Sequence, residues 1–133
     1  MVEKSHRILV VDDLPDWRST LSGLLTDEGH SVSVADSSDS ALDVLGREKF
    51  DLAVLDMRLD ETEEGNVEGL TLAGEIKKRW PGIKVIIITG YETTETVRQA
   101  LEPDAEGRRL AEDYLEKTKT EELPEAIRRV LAL

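Results

Sequence analysis

Apolar residues in this chain gather into three unbroken runs, Ile8-Leu9-Val10-Val11, Leu52-Ala53-Val54-Leu55 and Val85-Ile86-Ile87-Ile88. A strand covered on both faces has no polar side to show, so these runs predict three interior strands. Ser31-Val32-Ser33-Val34 alternates and Asp113-Tyr114-Leu115-Glu116 is mixed, as expected of strands at a sheet edge. Between the strands the spacing changes to that of helices. Pro15 suits a first helical turn, and Trp17, Leu21, Leu24 and Leu25 form one apolar stripe ending near Gly29. Ser38 can cap a second helix carrying Leu42 and Leu45. Leu70, Ala73, Ile76 and Lys77 mark a third, stopped by Trp80-Pro81-Gly82. Thr93 or Thr94 can cap a fourth with Val97, Ala100 and Leu101, ended by Pro103. Leu123, Ile127, Val130 and Leu131 make the last, with Thr118 or Thr120 as its cap.

Strands alternating with helices predict βα units around a parallel sheet. With the second and fifth strands outside, the order 2-1-3-4-5 of the flavodoxin-like, doubly wound α/β fold satisfies the pattern. Right-handed crossovers then place helices on both faces. Ligands of such sheets sit beyond the carboxyl ends of the strands, where the winding reverses. That point falls between the first and third strands, neighbours about 4.8 Å apart. Asp12 and Asp13 close the first run and Asp56 closes the third strand. Two unit charges about 4 Å apart repel by roughly 4 kcal/mol at an effective dielectric near 20. Such a cluster needs a cation, and Mg2+, which takes oxygen ligands and keeps room for phosphate, fits it. Thr89 ends the fourth strand and Lys117 follows the fifth, so both converge on the same edge. Each residue alone has a plain use: Asp13 as a helix cap, Thr89 as a turn residue before Gly90, Lys117 as a solvated lysine, Tyr114 as a half-buried edge aromatic. Together they point to phosphate chemistry, with Lys117 as counter-charge and phosphoryl ligand.

Composition narrows the partners. The 133 residues are expected to form a single domain, 1–133, with a net charge of −12 from seventeen basic and twenty-nine acidic residues. A duplex binder needs a clustered basic footprint, so no direct nucleic-acid binding is expected. Lys77-Lys78-Arg79 and Arg128-Arg129 fall in last helical turns, where they complement the helix dipole. The absence of cysteine excludes disulfides and thiolate metal sites and fits a reducing cytoplasm. The first residues lead into only four apolar positions, too few for a signal peptide or a membrane span.

Four segments carry a resemblance over essentially the whole chain: Ile8–Asp13, Asp51-Leu52-Ala53-Val54-Leu55-Asp56-Met57-Arg58-Leu59, Ile87-Ile88-Thr89-Gly90-Tyr91 and Asp113–Lys117. In that order at strand ends they resemble the receiver domain of two-component response regulators. The resemblance implies that Asp56 accepts a phosphoryl group from the phosphohistidine of a histidine kinase or phosphotransfer protein. Asp13 and Asp56 would ligate Mg2+ with the backbone carbonyl of Arg58, and Asp12 would act largely through water. Lys117 would pair with one phosphoryl oxygen. Thr89 would bond another once phosphorylation draws it inward, and Tyr114 matches the aromatic switch behind it. The output surface would be the fourth helix, fifth strand and fifth helix, roughly residues 93–131, facing a partner or output domain. The domain would catalyse only its own phosphorylation and dephosphorylation.

The resemblance departs at three places. Proline usually follows the lysine, after a cis peptide, whereas Thr118 stands here; a cis bond before a non-proline residue costs about 2.5–4 kcal/mol. Either Lys117-Thr118 is trans with an altered loop, or the fold bears that cost to aim Lys117. Second, the segment after Asp56 is long and acidic, with Asp60, Glu61, Glu63, Glu64 and Glu68, and it lacks the usual proline. It is either a solvated loop or a modulator of cation binding and kinase choice. Third, residues 102–110 extend the path from Thr89 to Lys117 on the expected output face. Arg58 and Tyr91, both large, occupy positions to which the family's dephosphorylation rate is sensitive, and their size favours a long-lived phosphorylated state. Two other classes compete. A pseudo-receiver, an interaction module not controlled by phosphorylation, would lack the acidic pair, the phosphoacceptor or the lysine, and none is missing. An aspartate-nucleophile phosphatase would need a carboxylate where Arg58 stands. A phosphate-binding flavin or dinucleotide loop is excluded by Asp12-Asp13-Leu14-Pro15-Asp16, which repels phosphate.

Overall fold

The computed structural model describes residues 5–57, 68–90, 101–103, 105, 107 and 109–132. Five parallel strands, β1 (Arg7–Val11), β2 (Ser31–Ala35), β3 (Leu52–Asp56), β4 (Lys84–Thr89) and β5 (Asp113–Glu116), form one sheet in the order β2-β1-β3-β4-β5. That is the order the hydrophobic pattern predicts. All of β3 is buried, and β1 and β4 are buried except at their first residues, whereas β2 and β5 keep exposed positions at the edges.

Four α-helices cover the sheet among the described residues: α1 (Pro15–Asp27), α2 (Ser38–Arg47), α3 (Glu68–Arg79) and α4 (Leu123–Leu131). The fourth helical pattern in the sequence, from Thr93, lies outside the described residues apart from Leu101. Successive residues of each inner strand point to opposite faces and so divide the core in two. On one side Leu9, Val11, Ala53, Leu55, Val85 and Ile87 meet Ala41 and Leu45 of α2 and Leu72, Ala73 and Ile76 of α3. On the other, Ile8, Val10, Leu52, Val54, Ile86 and Ile88 meet Leu21 and Leu25 of α1 and Leu123, Ala126, Ile127 and Val130 of α4. At about 1.5–3 kcal/mol for each buried large aliphatic side chain, these two layers are the main force holding the strand ends in register.

Two local expectations are corrected, and one open alternative is decided. Ser37, not Ser38, caps α2: its hydroxyl accepts from the Ser40 amide at 3.1 Å, and the Ser40 side chain returns a bond to the Ser37 backbone. Ser38 is the first helical residue, and its hydroxyl donates to Glu68 Oε2 at 2.7 Å. Neither Thr118 nor Thr120 caps the last helix. A 3-10 helix, Lys117–Glu122, runs directly into α4, the Leu123 amide bonds to the Thr120 carbonyl, and Pro124 brings no N–H that needs a cap. No cis peptide occurs among the described residues, so Lys117-Thr118 is trans and leads into that 3-10 turn. The insertion is anchored at its end. Leu110 packs on the α2–α3 core layer, and Ala111 is fully buried.

Lys77 lies in the last turn of α3, as expected, but it also forms an ion pair that the pattern does not predict. Its Nζ donates to both carboxylate oxygens of Glu112, at 2.7 Å to Oε2, and to the Ile83 carbonyl at 3.0 Å. Glu112 also accepts from the Val85 amide at 3.0 Å, so one pair ties α3 to the entrances of β4 and β5.

Candidate functional site

Parallel pairing brings every strand's carboxyl end to one edge. Asp12 and Asp13 leave β1, Asp56 ends β3 and is in register with Ile88 of β4, Thr89 ends β4, and Lys117 follows β5. Asp12, Asp13 and Asp56 each offer a carboxylate oxygen, and these oxygens lie within 4.8 Å of one another. Lys117 Nζ stands 3.1 Å from Asp56 Oδ2, to which it donates, and 3.3 Å from Asp12 Oδ2. Among the described residues the buried polar ones are Asp12, Asp56 and Thr89, and all three are here. Three carboxylates and one ammonium leave two negative charges in a largely dehydrated pocket, the complement of a divalent cation with oxygen preference.

Asp12 also shapes the turn. Its Oδ1 accepts from the Leu14 amide at 2.9 Å, an Asx-type closure that lets the chain reverse out of β1. Helix α1 then starts at Pro15, and the residue at its N-cap position is Leu14, one after Asp13. Burial by itself pulls the Lys117 ammonium down, but the Asp56 and Asp12 carboxylates outweigh it and hold the lysine above its ordinary value. It is therefore a fixed positive charge. The Thr89 hydroxyl oxygen is buried and has no hydrogen-bond partner among the described residues. An unpaired buried hydroxyl costs about 1–3 kcal/mol, so an incoming acceptor at this edge would gain by bonding it.

Tyr114 is partly buried against the α2–α3 core layer and in register with Ile87. Arg58, Tyr91, the acidic residues 60–64 and residues 93–100, where the sequence pattern predicts a further helix, lie outside the described residues. One neighbour was not foreseen from sequence. Arg18 Nη1 donates to the Asp12 carbonyl at 2.9 Å. A basic residue one turn into a helix, where the dipole disfavours it, was the available signal. Trp17 lies closer to the centre than its spacing alone shows, with its ring centroid 5.1 Å from Lys117 Nζ.

Known proteins agree with this arrangement. The family model of the response regulator receiver domain matches residues 8–128. The transcriptional regulatory protein GlrR of Escherichia coli (strain K12) is 43% identical over 91 residues, covering 68% of this chain and 19% of its own length. The chain spans about a fifth of the length of the curated relatives it matches. The crystal structure of the receiver domain of NtrX from Brucella abortus is similar with a TM-score of 0.79 and 38% identity, over 94% of this chain and 98% of that one. TrrA from Thermotoga maritima, a response regulator solved in complex with Mg2+ and a beryllium fluoride, has a TM-score of 0.71 and 31% identity, over 94% and 98%. No helix among the described residues is long and apolar enough to cross a membrane. A sheet wound 2-1-3-4-5, with a buried acidic cluster at its switch point and a family match over nearly the whole chain, places this protein in the response regulator receiver domain family.

Proposed function

We propose that this domain is a phosphorylation-controlled switch in a cytoplasmic two-component phosphorelay, with Asp56 as the phosphoacceptor. A carboxylate oxygen of Asp56 forms the new bond to phosphorus. The P–N bond of a kinase or phosphotransfer-protein phosphohistidine, or the P–O bond of a small acyl phosphate, breaks, and the leaving group keeps the electron pair. Asp12, Asp13 and Asp56, with the Arg58 backbone carbonyl, are the groups that would hold Mg2+. When bound, it would neutralise charge on the transferred oxygens. Lys117 is already 3.1 Å from Asp56 Oδ2 and supplies the second positive charge beside the same oxygens.

The product replaces one carboxylate charge with a dianionic group bearing strong acceptors. Thr89, one strand away with its hydroxyl unpaired among the described residues, is the donor that such a group would recruit. Tyr114 on β5 would follow, altering the output face expected over residues 93–131 toward an output partner. The observation that carries this reading is the Lys117 ammonium within hydrogen-bond reach of Asp56 in a cluster of three carboxylates.

Treatment with acetyl phosphate, with and without Mg2+, tests it by intact mass. One phosphoryl adduct is expected on the wild type in Mg2+, and none on Asp56→Asn or in chelator. An unmodified wild type would overturn the phosphoacceptor role and leave a pseudo-receiver interaction module.

A further inference from the structure

Gly69 is the second residue of α3 and is buried. A Cβ placed on it would collide with the carbonyl oxygen of Asp56 and lie 2.8 Å from the Met57 carbonyl oxygen and 2.9 Å from the Asp56 carbonyl carbon. All three are backbone atoms, so no side chain can swing aside. Other helical glycines differ: Gly23 and Gly46 have nothing within 4 Å, and Gly74 meets only Leu110 Cδ2 at 3.6 Å. Nor is a special conformation the reason. The positive-φ glycines among the described residues are Gly29 and Gly107, so Gly69 has backbone angles any residue could adopt.

What the missing Cβ permits is close approach. The Gly69 amide donates to the Met57 carbonyl at 2.9 Å, while the Met57 amide donates to Ile88 of β4 at 2.9 Å. The peptide group that follows Asp56 is therefore gripped by β4 on one side and by the first turn of α3 on the other. The preceding residue, Glu68, is bonded by Ser38, which fixes that turn against the start of α2.

We propose that Gly69 is a positioning residue for Asp56: its bare Cα lets α3 press the Asp56-Met57 peptide into the place from which the Asp56 carboxylate reaches Lys117 and the neighbouring carboxylates. The proposal rests on the phosphoacceptor reading of Asp56. Any side chain at position 69 must push α3 and the β3 exit apart. Displacements well under 1 Å matter where a nucleophile has to meet both a cation and a phosphorus in line.

The test is Gly69→Ala in a Gly23→Ala/Gly46→Ala background, where two exposed helical glycines become alanines that favour helix and keep the protein folded. The background itself should phosphorylate at the wild-type rate. Two quantities are read: the acetyl phosphate labelling rate at saturating Mg2+, and the Mg2+ dissociation constant from Trp17 fluorescence. Gly69→Ala should label at least tenfold more slowly and bind Mg2+ severalfold more weakly, with unchanged far-ultraviolet circular dichroism. Ile127→Val, which loosens the opposite core layer, should lower the melting temperature without moving either quantity. Equal rate and equal Mg2+ affinity in Gly69→Ala would overturn the proposal, and so would failure to fold in the stabilised background, which would make Gly69 a folding residue only. If the wild type itself takes no label, the phosphoacceptor reading fails, and the Mg2+ titration alone decides the positioning role.

Discussion

Asp13 and Lys117 sit on opposite sides of one electrostatic balance, so their substitutions should have opposite signs. With carboxylate oxygens of Asp12, Asp13 and Asp56 within 4.8 Å and one lysine against them, the metal-free pocket holds excess negative charge. Asp13→Asn should therefore stabilise the protein in chelator by about 1 kcal/mol, roughly 3 °C in melting temperature for a domain of this size, while weakening Mg2+ binding. Lys117→Met removes the cation and leaves two buried carboxylates facing each other. A loss of about 3 kcal/mol is expected in chelator, partly restored by Mg2+. The folded-state value of Lys117 is raised, so the stability it contributes is fully present below the ordinary lysine value of 10.5 and is lost as pH rises through the higher folded value. Urea denaturation of wild type and Lys117→Met at pH 7 and pH 9 should show the same gap at both. A gap that closes by pH 9 would mean that Lys117 is not held charged by Asp56 and Asp12.

At the scale of elements, caps and ion pairs decide what periodicity leaves open. Ser37→Ala should cost about 1 kcal/mol because the Ser40 amide loses its acceptor, whereas Ser38→Ala leaves the cap in place; chemical denaturation separates the two. The ion pair of Lys77 and Glu112 ties α3 to the strand entrances from partly buried positions. Lys77→Met should cost about 3 kcal/mol by stranding the carboxylate, and Lys77→Met/Glu112→Leu should recover much of it. These are the features the sequence hides. Strand order and site were legible because continuous apolar runs and terminal carboxylates leave one economical arrangement, with Asp12, Asp13, Asp56, Thr89 and Lys117 at one edge. The α2 cap was not, because adjacent Ser37 and Ser38 have identical chemistry and only backbone angles tell them apart. The last helix was mis-capped because a 3-10 turn leaves no apolar signature. The constraint on Gly69 was invisible because it comes from two backbone segments that sequence spacing does not bring together.

The molecule as a whole carries a charge of −12 and concentrates part of it, dehydrated, at one end of its sheet. Any cation that binds only the folded state stabilises it by mass action, about 2.7 kcal/mol at a hundredfold excess over its dissociation constant. General screening of a −12 surface would stabilise too, so ionic strength has to be held constant with sodium chloride while Mg2+ is varied. Under that condition Mg2+ should raise the wild-type melting temperature and leave Asp56→Asn nearly unmoved. The two tryptophans report from opposite ends. Trp17 lies 5.1 Å from the Lys117 ammonium, so a cation entering among the carboxylates changes the charge above its ring. Trp80 packs beside Phe50, Gly82 and Ile83 at the end where the strands begin. Trp80→Phe should therefore keep the Mg2+-dependent emission change and Trp17→Phe should lose it. Loss of the signal in Trp80→Phe, or a melting temperature that follows ionic strength alone, would place the cation away from the ends of β1 and β3.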